Sequence, residues 1–109
     1  MTNMAHQRPS EDRIVIHADP ELADLIPGFL ENRRKDVAAM LTSLDTGDLQ
    51  TVRILGHSMK GSGGGYGFDA ITEIGGALEQ AASSADREEI RRQIGELSTY
   101  LDQVEVIYD

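Results

Sequence analysis

The sequence predicts an all-α protein, an antiparallel four-helix bundle with a short additional helix at its N-terminal end. Aliphatic side chains far outnumber aromatic ones, with two Phe, three Tyr and no Trp among 109 residues. That composition suits helices packed through Leu, Ile, Val and Ala better than a β-sandwich. Four long stretches also repeat apolar residues at helical spacing, with only short connections between them. Such a pattern joins amphipathic helices as antiparallel neighbours. The length allows one domain with one modest core.

Residues 1–13 are polar, and the run IVI at 14–16 is too short for an independent strand and is expected to lie along the bundle. Residues 1–18 therefore read as an N-terminal arm and residues 19–109 as the bundle. Asp19 followed by Pro20 is an N-cap with proline at the first helical position. Pro27 is expected to divide the following stretch into a short helix over about 20–26 and a long one over about 28–45. In the long one, Leu30, Val37, Met40, Leu41 and Leu44 recur at helical spacing. Gly47 is a C-terminal cap, and Asp48 starts the next helix, over about 49–62. The run Gly63–Gly65 with Tyr66 and Gly67 forms the frayed end of that helix and the turn after it. A third helix, about 68–83, carries Phe68, Ile71, Ile74, Leu78 and Ala82 on one stripe. Gly75 and Gly76 inside it cost helix propensity and point to close packing against a neighbour. After SSADREE a fourth helix carries Ile90, Ile94, Leu97, Leu101, Val104 and Tyr108 as its seam.

Charge and composition exclude several classes of function. The chain has 10 Lys+Arg against 19 Asp+Glu, a formal charge of −9, and so acidic a surface repels a nucleic-acid backbone. With no cysteine there is neither a disulfide framework nor a thiolate metal site. No apolar run approaches the ~18–20 residues that span a bilayer, and MTNMAHQRPSEDR lacks the apolar region of a signal peptide. The expectation is a cytoplasmic protein with no membrane or nucleic-acid partner. Met1 and the four-helix count fit a free-standing protein, and a monomer is expected because closing the bundle within one chain accounts for the Ile90–Tyr108 stripe.

The second helix carries HSMKGSGGGYG over residues 57–67. With residues placed ~100° apart and His57 at zero, Val52, Leu55 and Met59 fall ~140–160° away and form the core stripe. His57 therefore faces solvent. Gln50, Arg53, Ile54, Lys60, Gly61 and Gly64 lie within ~60° of it. Each member has an ordinary explanation on its own: an exposed histidine is usually idle, and Arg53 and Lys60 suit a solvated surface. Together they need another, since a glycine one turn from an exposed histidine weakens the helix that presents it. Missing Cβ atoms would let another protein's backbone approach the imidazole.

Reversible phosphorylation of the ring fits this face. A neutral imidazole nitrogen is a competent nucleophile near neutral pH. Phosphoryl transfer needs mainly in-line positioning and neutralisation of oxygen charge, which Lys60 and Arg53 can supply from one turn either side. An exposed site holds no small substrate and excludes no water, so the phosphoryl donor should be a protein that completes the active centre. The glycines do not make a nucleotide site: the order is Lys60-Gly61-Ser62 after a helix, where a phosphate-binding loop needs Gly-Lys-Ser/Thr after a strand. His6 and His17 have no fixed relation to His57, so no metal site is expected. The protein is thus expected to be a phosphoryl carrier and not an enzyme with a nucleotide site of its own.

HSMKGSGGGYG closely resembles the signature of histidine-containing phosphotransfer (HPt) domains: a histidine, then a hydrophobic residue, Lys, Gly, a small residue and a further Gly ahead of a hydrophobic helix. His57, Met59, Lys60, Gly61, Ser62 and Gly67 stand at the matching positions. The resemblance runs over about 20–108 and includes LIPGFLENRRKDV, the Gly-Asp pair before the histidine helix, and ALEQAA after it. Departures are small: Met59 takes a place often held by Leu, and the Gly63–Gly65 run is unusually flexible. The resemblance implies a shuttle in a multistep phosphorelay of the two-component type. His57 would accept a phosphoryl group from an aspartyl phosphate on one response-regulator receiver domain, or on a hybrid sensor kinase, and pass it to another receiver. Lys60 would be the electrostatic helper, Gly61 would admit the partner, and Gln50, Arg53, Ile54 and Gly64 would form the docking face. The receiver would bring Mg²⁺, and this chain would need no cofactor of its own. Ser62, directed towards the core, reads as structural. The alternative is a helical adaptor that binds a receiver domain or another signalling partner without relaying phosphate.

Overall fold

A computed structural model describes residues 13–109; the polar stretch ahead of them, His6 included, lies outside the described residues. The elements in chain order are β1 (Ile14–Ala18), a 3-10 turn (Pro20–Leu22), α1 (Ile26–Thr46), α2 (Leu49–Ser62), a second 3-10 turn (Gly64–Tyr66), α3 (Asp69–Ser83), α4 (Arg87–Gln103) and β2 (Val104–Tyr108). Four helices joined by short turns form the bundle. Its fully buried centre includes Ile26, Met40 and Leu44 of α1, Val52 and Met59 of α2, Phe68, Ile71 and Leu78 around α3, and Ile90, Leu97 and Leu101 of α4.

The helix boundaries follow from local chemistry. Gly47 closes α1 in the left-handed region at φ 80°, and the Asp48 N–H reaches back to the Ser43 carbonyl at 2.8 Å. This satisfies carbonyls that the helix end would otherwise leave bare. The Asp48 side chain then accepts the N–H of Thr51 and caps α2. Asp86 caps α4 in the same way, through the N–H of Glu89.

Four expectations change. The short N-terminal helix is instead a strand followed by a 3-10 turn. Asp19 does cap that turn, accepting the Glu21 N–H at 2.9 Å, but Pro27 lies in the first turn of α1 and does not divide a helix. There its missing N–H has no intrahelical acceptor to lose. The fourth helix stops at Gln103, because Val104 turns to the extended region at ψ 134°. Val104 and Tyr108 are four apart, a spacing that fits a helix face and equally a strand face, and VEVIY is β-branched and aromatic enough to take the second. Leu41 faces outward at 45 % exposure although it keeps helical spacing; it lies one residue past Met40, beyond the edge of the buried stripe.

β1 and β2 pair in parallel, with Ile14 opposite Val104 and Ala18 opposite Tyr108. Parallel pairing needs a long crossover, and here the whole bundle supplies it. Ile14, Ile16, Val104 and Val106 turn towards the core and pack on it. On the outer side Arg13 meets Glu105 at 2.9 Å and His17 Nδ1 meets Asp109 at 2.8 Å.

Candidate functional site at His57

The α2–α3 hairpin positions the site, and glycines set how closely its two helices approach. A Cβ on Gly75 would lie 2.5 Å from the Lys60 nitrogen and 2.7 Å from the Gly56 carbonyl oxygen. One on Gly56 would lie 2.8 Å from the nitrogen of Glu79. Both contacts are with backbone, which no side-chain rotation relieves, so only glycine allows this crossing. Gly76 is looser: its Cβ would rest 3.6 Å from Cδ of Lys60.

This approach sets Glu79 of α3 against the histidine. His57 Nδ1 lies 3.0 Å from Glu79 Oε2, and Lys60 Nζ lies 3.4 Å from Oε1 of the same carboxylate. Glu79 is mostly covered, with a side chain 23 % exposed, whereas the His57 side chain is 69 % exposed. Burial pushes the Glu79 carboxyl up, but hydrogen bonds from His57 and Lys60 outweigh it and hold the group below the usual carboxylate range. An ionised carboxylate accepts and does not donate, so Nδ1 is the ring nitrogen that carries hydrogen. In the neutral ring the lone pair is then on Nε2, which has no partner among the described residues.

The expected neighbours of His57 divide into groups. Ile54 is exposed at 51 %, an apolar side chain left in solvent beside the imidazole. Arg53 donates through Nε to Gln50 Oε1 at 3.2 Å, so both lie one to two turns before His57 along the same helix. A Cβ on Gly61 would meet nothing within 4 Å, which leaves open space one turn beyond the ring. Gly64 N–H donates to Thr72 Oγ1 at 2.7 Å. Ser62 Oγ donates to the Ser58 carbonyl at 3.0 Å, a bond within the helix. Val52 and Met59 are fully buried, and Leu55 is half-buried beside them.

The end of the histidine helix is not frayed. Gly63 packs against α3, where a Cβ would lie 2.7 Å from the Thr72 nitrogen. The Phe68 N–H returns to the Gly63 carbonyl at 2.9 Å, and Gly67 makes the turn at φ 95°. Tyr66 then stacks on Phe29 of α1 at 4.4 Å between ring centroids, and the Arg33 guanidinium covers that ring at 4.8 Å. Stacking and a ladder of turn bonds replace the helix propensity the glycines lack.

Glu79 is the residue that sequence reasoning left without a role. It sits inside ALEQAA, four residues after Gly75 and three after Gly76, so it shares the face that those glycines press onto α2. An acid one turn beyond a close-packing glycine pair is a readable sign that it faces the partner helix.

The whole is a helical bundle that presents a histidine on an open helix face, braced from the neighbouring helix, rather than a cleft enclosing a substrate. The chain belongs to the Hpt domain family, whose model matches residues 24–106. No curated protein and no solved structure shows a significant match to it. The family carries out histidine phosphotransfer in phosphorelays, with receiver domains as partners, and its members are carriers without a nucleotide site of their own. Among the described residues no helix is long and apolar enough to cross a membrane.

Proposed function

We propose that this protein is the histidine phosphotransfer component of a multistep phosphorelay, with His57 as the phosphoryl acceptor. The carrying observation is that one carboxylate, Glu79, engages both His57 Nδ1 and Lys60 Nζ, while the ring is largely exposed and Nε2 has no partner among the described residues. Nε2 attacks the phosphorus of an aspartyl phosphate on a receiver domain. The N–P bond forms as the bond to the aspartate oxygen breaks, and the aspartate leaves as a carboxylate. The ring keeps its hydrogen on Nδ1, and the Glu79 carboxylate offsets the positive charge that develops there. Glu79 is therefore a positioning residue, fixing ring orientation and tautomer. The reverse step, attack by the aspartate of a second receiver, returns the electron pair to Nε2.

Lys60 neutralises charge on the phosphoryl oxygens, and its exchange between Glu79 and the phosphoryl group is a short movement of a flexible ammonium. Gly61 leaves room for the receiver backbone. Gln50, Arg53, Ile54 and Gly64 form the docking face, in which the apolar Ile54 gains most from being covered. The receiver brings Mg²⁺ and its own acidic pocket, so the cations of this face also steer the encounter. The relay is assigned to the cytoplasm, and residues 19–109 form the transferring unit.

The test is phosphoryl transfer from a pre-phosphorylated receiver, read by the intact mass of this protein beside its His57→Gln variant. A phosphate-sized gain that is lost in mild acid and absent from the variant supports the carrier reading. Docking without any gain would leave the adaptor reading in its place.

A further inference from the structure

The two-stranded sheet is the part of the molecule that the phosphotransfer reading leaves unused. Parallel strands are usually buried on both sides by further structure, and a two-stranded sheet alone is marginal in water. Here β1 has β2 along one edge and, among the described residues, no strand along the other. The ladder tells which backbone groups face that open edge. Asp109 donates its N–H to the Ala18 carbonyl, and Ala18 stands opposite Tyr108. The N–H and C=O groups of Ile14, Ile16 and Ala18 therefore turn to β2, and alternation turns those of Val15 and His17 outward. Asp19 continues the extended backbone at φ −63°, ψ 124°, but its carbonyl accepts the Leu22 N–H, so the free backbone edge ends at His17 and Asp19 adds only its side chain.

Three of the usual guards against pairing are absent. Residues 13–19 hold no Pro, no Lys and no bulge, the devices that blunt exposed edges. Val15 on this edge is 45 % exposed. The edge is also complementary to itself. Set antiparallel to a second copy and centred on Ile16, Val15 and His17 of one chain face His17 and Val15 of the other. These are the residues with outward backbone groups, so they exchange N–H···O bonds as a hydrogen-bonded pair must. Ile16 meets Ile16 on the core side, and at both ends Arg13, which also holds Glu105 at 2.9 Å, comes opposite Asp19, whose Oδ1 accepts the Glu21 N–H. Sliding by two residues in one direction sets His17 against His17; in the other it sets Arg13 against His17. Only the centred register opposes unlike charges and no like ones.

We infer that a second copy of this chain pairs with the open edge of β1, joining two sheets into one of four strands by a two-fold, isologous contact. This departs from the monomer expected from sequence, because the expectation had no strand at either end of the chain. The inference does not depend on His57: the pairing residues, Arg13 to Asp19, are not among those that touch it.

Sedimentation of the full chain over a concentration series tests this. The wild type should dimerise with a Kd on the order of 10 μM, as expected of a small interface. Val15→Pro removes an outward N–H and leaves the bonds to β2 in place, and should weaken the dimer about tenfold or more. Arg13→Asp should weaken it similarly by opposing two acids, and adding Asp19→Arg should restore it to within about threefold. This charge exchange decides the matter if the proline variant fails to fold by circular dichroism. A wild type that stays monomeric at on the order of 100 μM overturns the inference, whether amide exchange finds Val15 and His17 protected by another segment of the chain or freely exchanging. So does a dimer indifferent to Val15→Pro or to the charge exchange.

Discussion

On the inner side of the α2–α3 hairpin, a Cβ on Gly56, Gly63 or Gly75 would fall 2.8, 2.7 and 2.5 Å from the nearest backbone atom. On the outer side, Gly61 and Gly65 face nothing within 4 Å. One residue type therefore does two different things within a single hairpin. The inner glycines let two helices approach until Glu79 reaches His57 and Lys60. The outer ones touch nothing inside the chain, so a methyl group there enters open space. A glycine in a helix costs about 1 kcal/mol relative to Ala wherever it stands, so the two sets separate sharply when a methyl group is added.

Gly75→Ala should break the hairpin. With backbone on both sides of the new methyl group, α2 and α3 must move apart, at a cost of about 3 kcal/mol in urea unfolding. Because Glu79 follows one turn later on the same helix, phosphoryl acceptance by His57 should fall with stability. A loss below about 0.5 kcal/mol would show that the crossing is looser than the distances require.

Glu79→Gln sharpens the comparison from the other direction, by keeping the approach and removing the charge it delivers. The amide oxygen can still accept from His57 Nδ1, but Lys60 loses its carboxylate, and the positive charge that develops on the ring is no longer offset. Exchanging a charge-assisted hydrogen bond for a neutral one should slow transfer by on the order of tenfold. A rate unchanged by Glu79→Gln but lost in Glu79→Ala would reduce Glu79 to a steric prop. The folded protein holds the Glu79 carboxyl below its ordinary range, with burial opposing and the His57 and Lys60 bonds prevailing. Its stabilisation is present above the unfolded-state value and is lost as pH falls through the lowered folded value. The variant should therefore be less stable than the wild type near neutral pH, and the gap should close in acid below the ordinary glutamate range.

Much of this site was legible because helix geometry is regular. His57 and its neighbours follow from a 100° wheel once Val52 and Met59 define the buried side, and the caps at Gly47 and Asp48 bound the helix that carries them. Gly75 was readable as a close contact, but the helix it would touch was not, and so Glu79 went unassigned. Tertiary partners at 19 and 22 residues' separation, as in Lys60–Glu79 and His57–Glu79, leave no periodic trace. The terminal strands were hidden for a different reason. Each lacks a partner nearby in sequence, and β1 pairs with a segment about 90 residues away. Val104 and Tyr108, at a spacing common to helix and strand, could not separate the two.

Gly61→Ala should divide stability from function. Its Cβ enters open space, so the helix should gain about 0.5–1 kcal/mol from better propensity. The same methyl group occupies the approach to His57, so transfer from a receiver should slow while the fold improves. A faster or unchanged transfer rate would assign Gly61 to local geometry alone.

The smallest effect is expected at Gly65, which is as open as Gly61 but lies in the 3-10 turn after α2. Its φ is not in the left-handed region, which among the described glycines is held only by Gly47 and Gly67. Alanine is therefore conformationally acceptable there. The turn is held through its neighbours, by Gly64 N–H on Thr72 and Tyr66 on Phe29. Gly65→Ala should change unfolding stability by no more than about 0.5 kcal/mol and leave transfer untouched. Set beside Gly61→Ala, it is the control for emptiness: both sites accept a methyl group, and only the one beside His57 should lose transfer. If Gly65→Ala slowed transfer as much, the receiver footprint would have to extend over the turn, and the open space beside His57 would no longer be the feature that admits it.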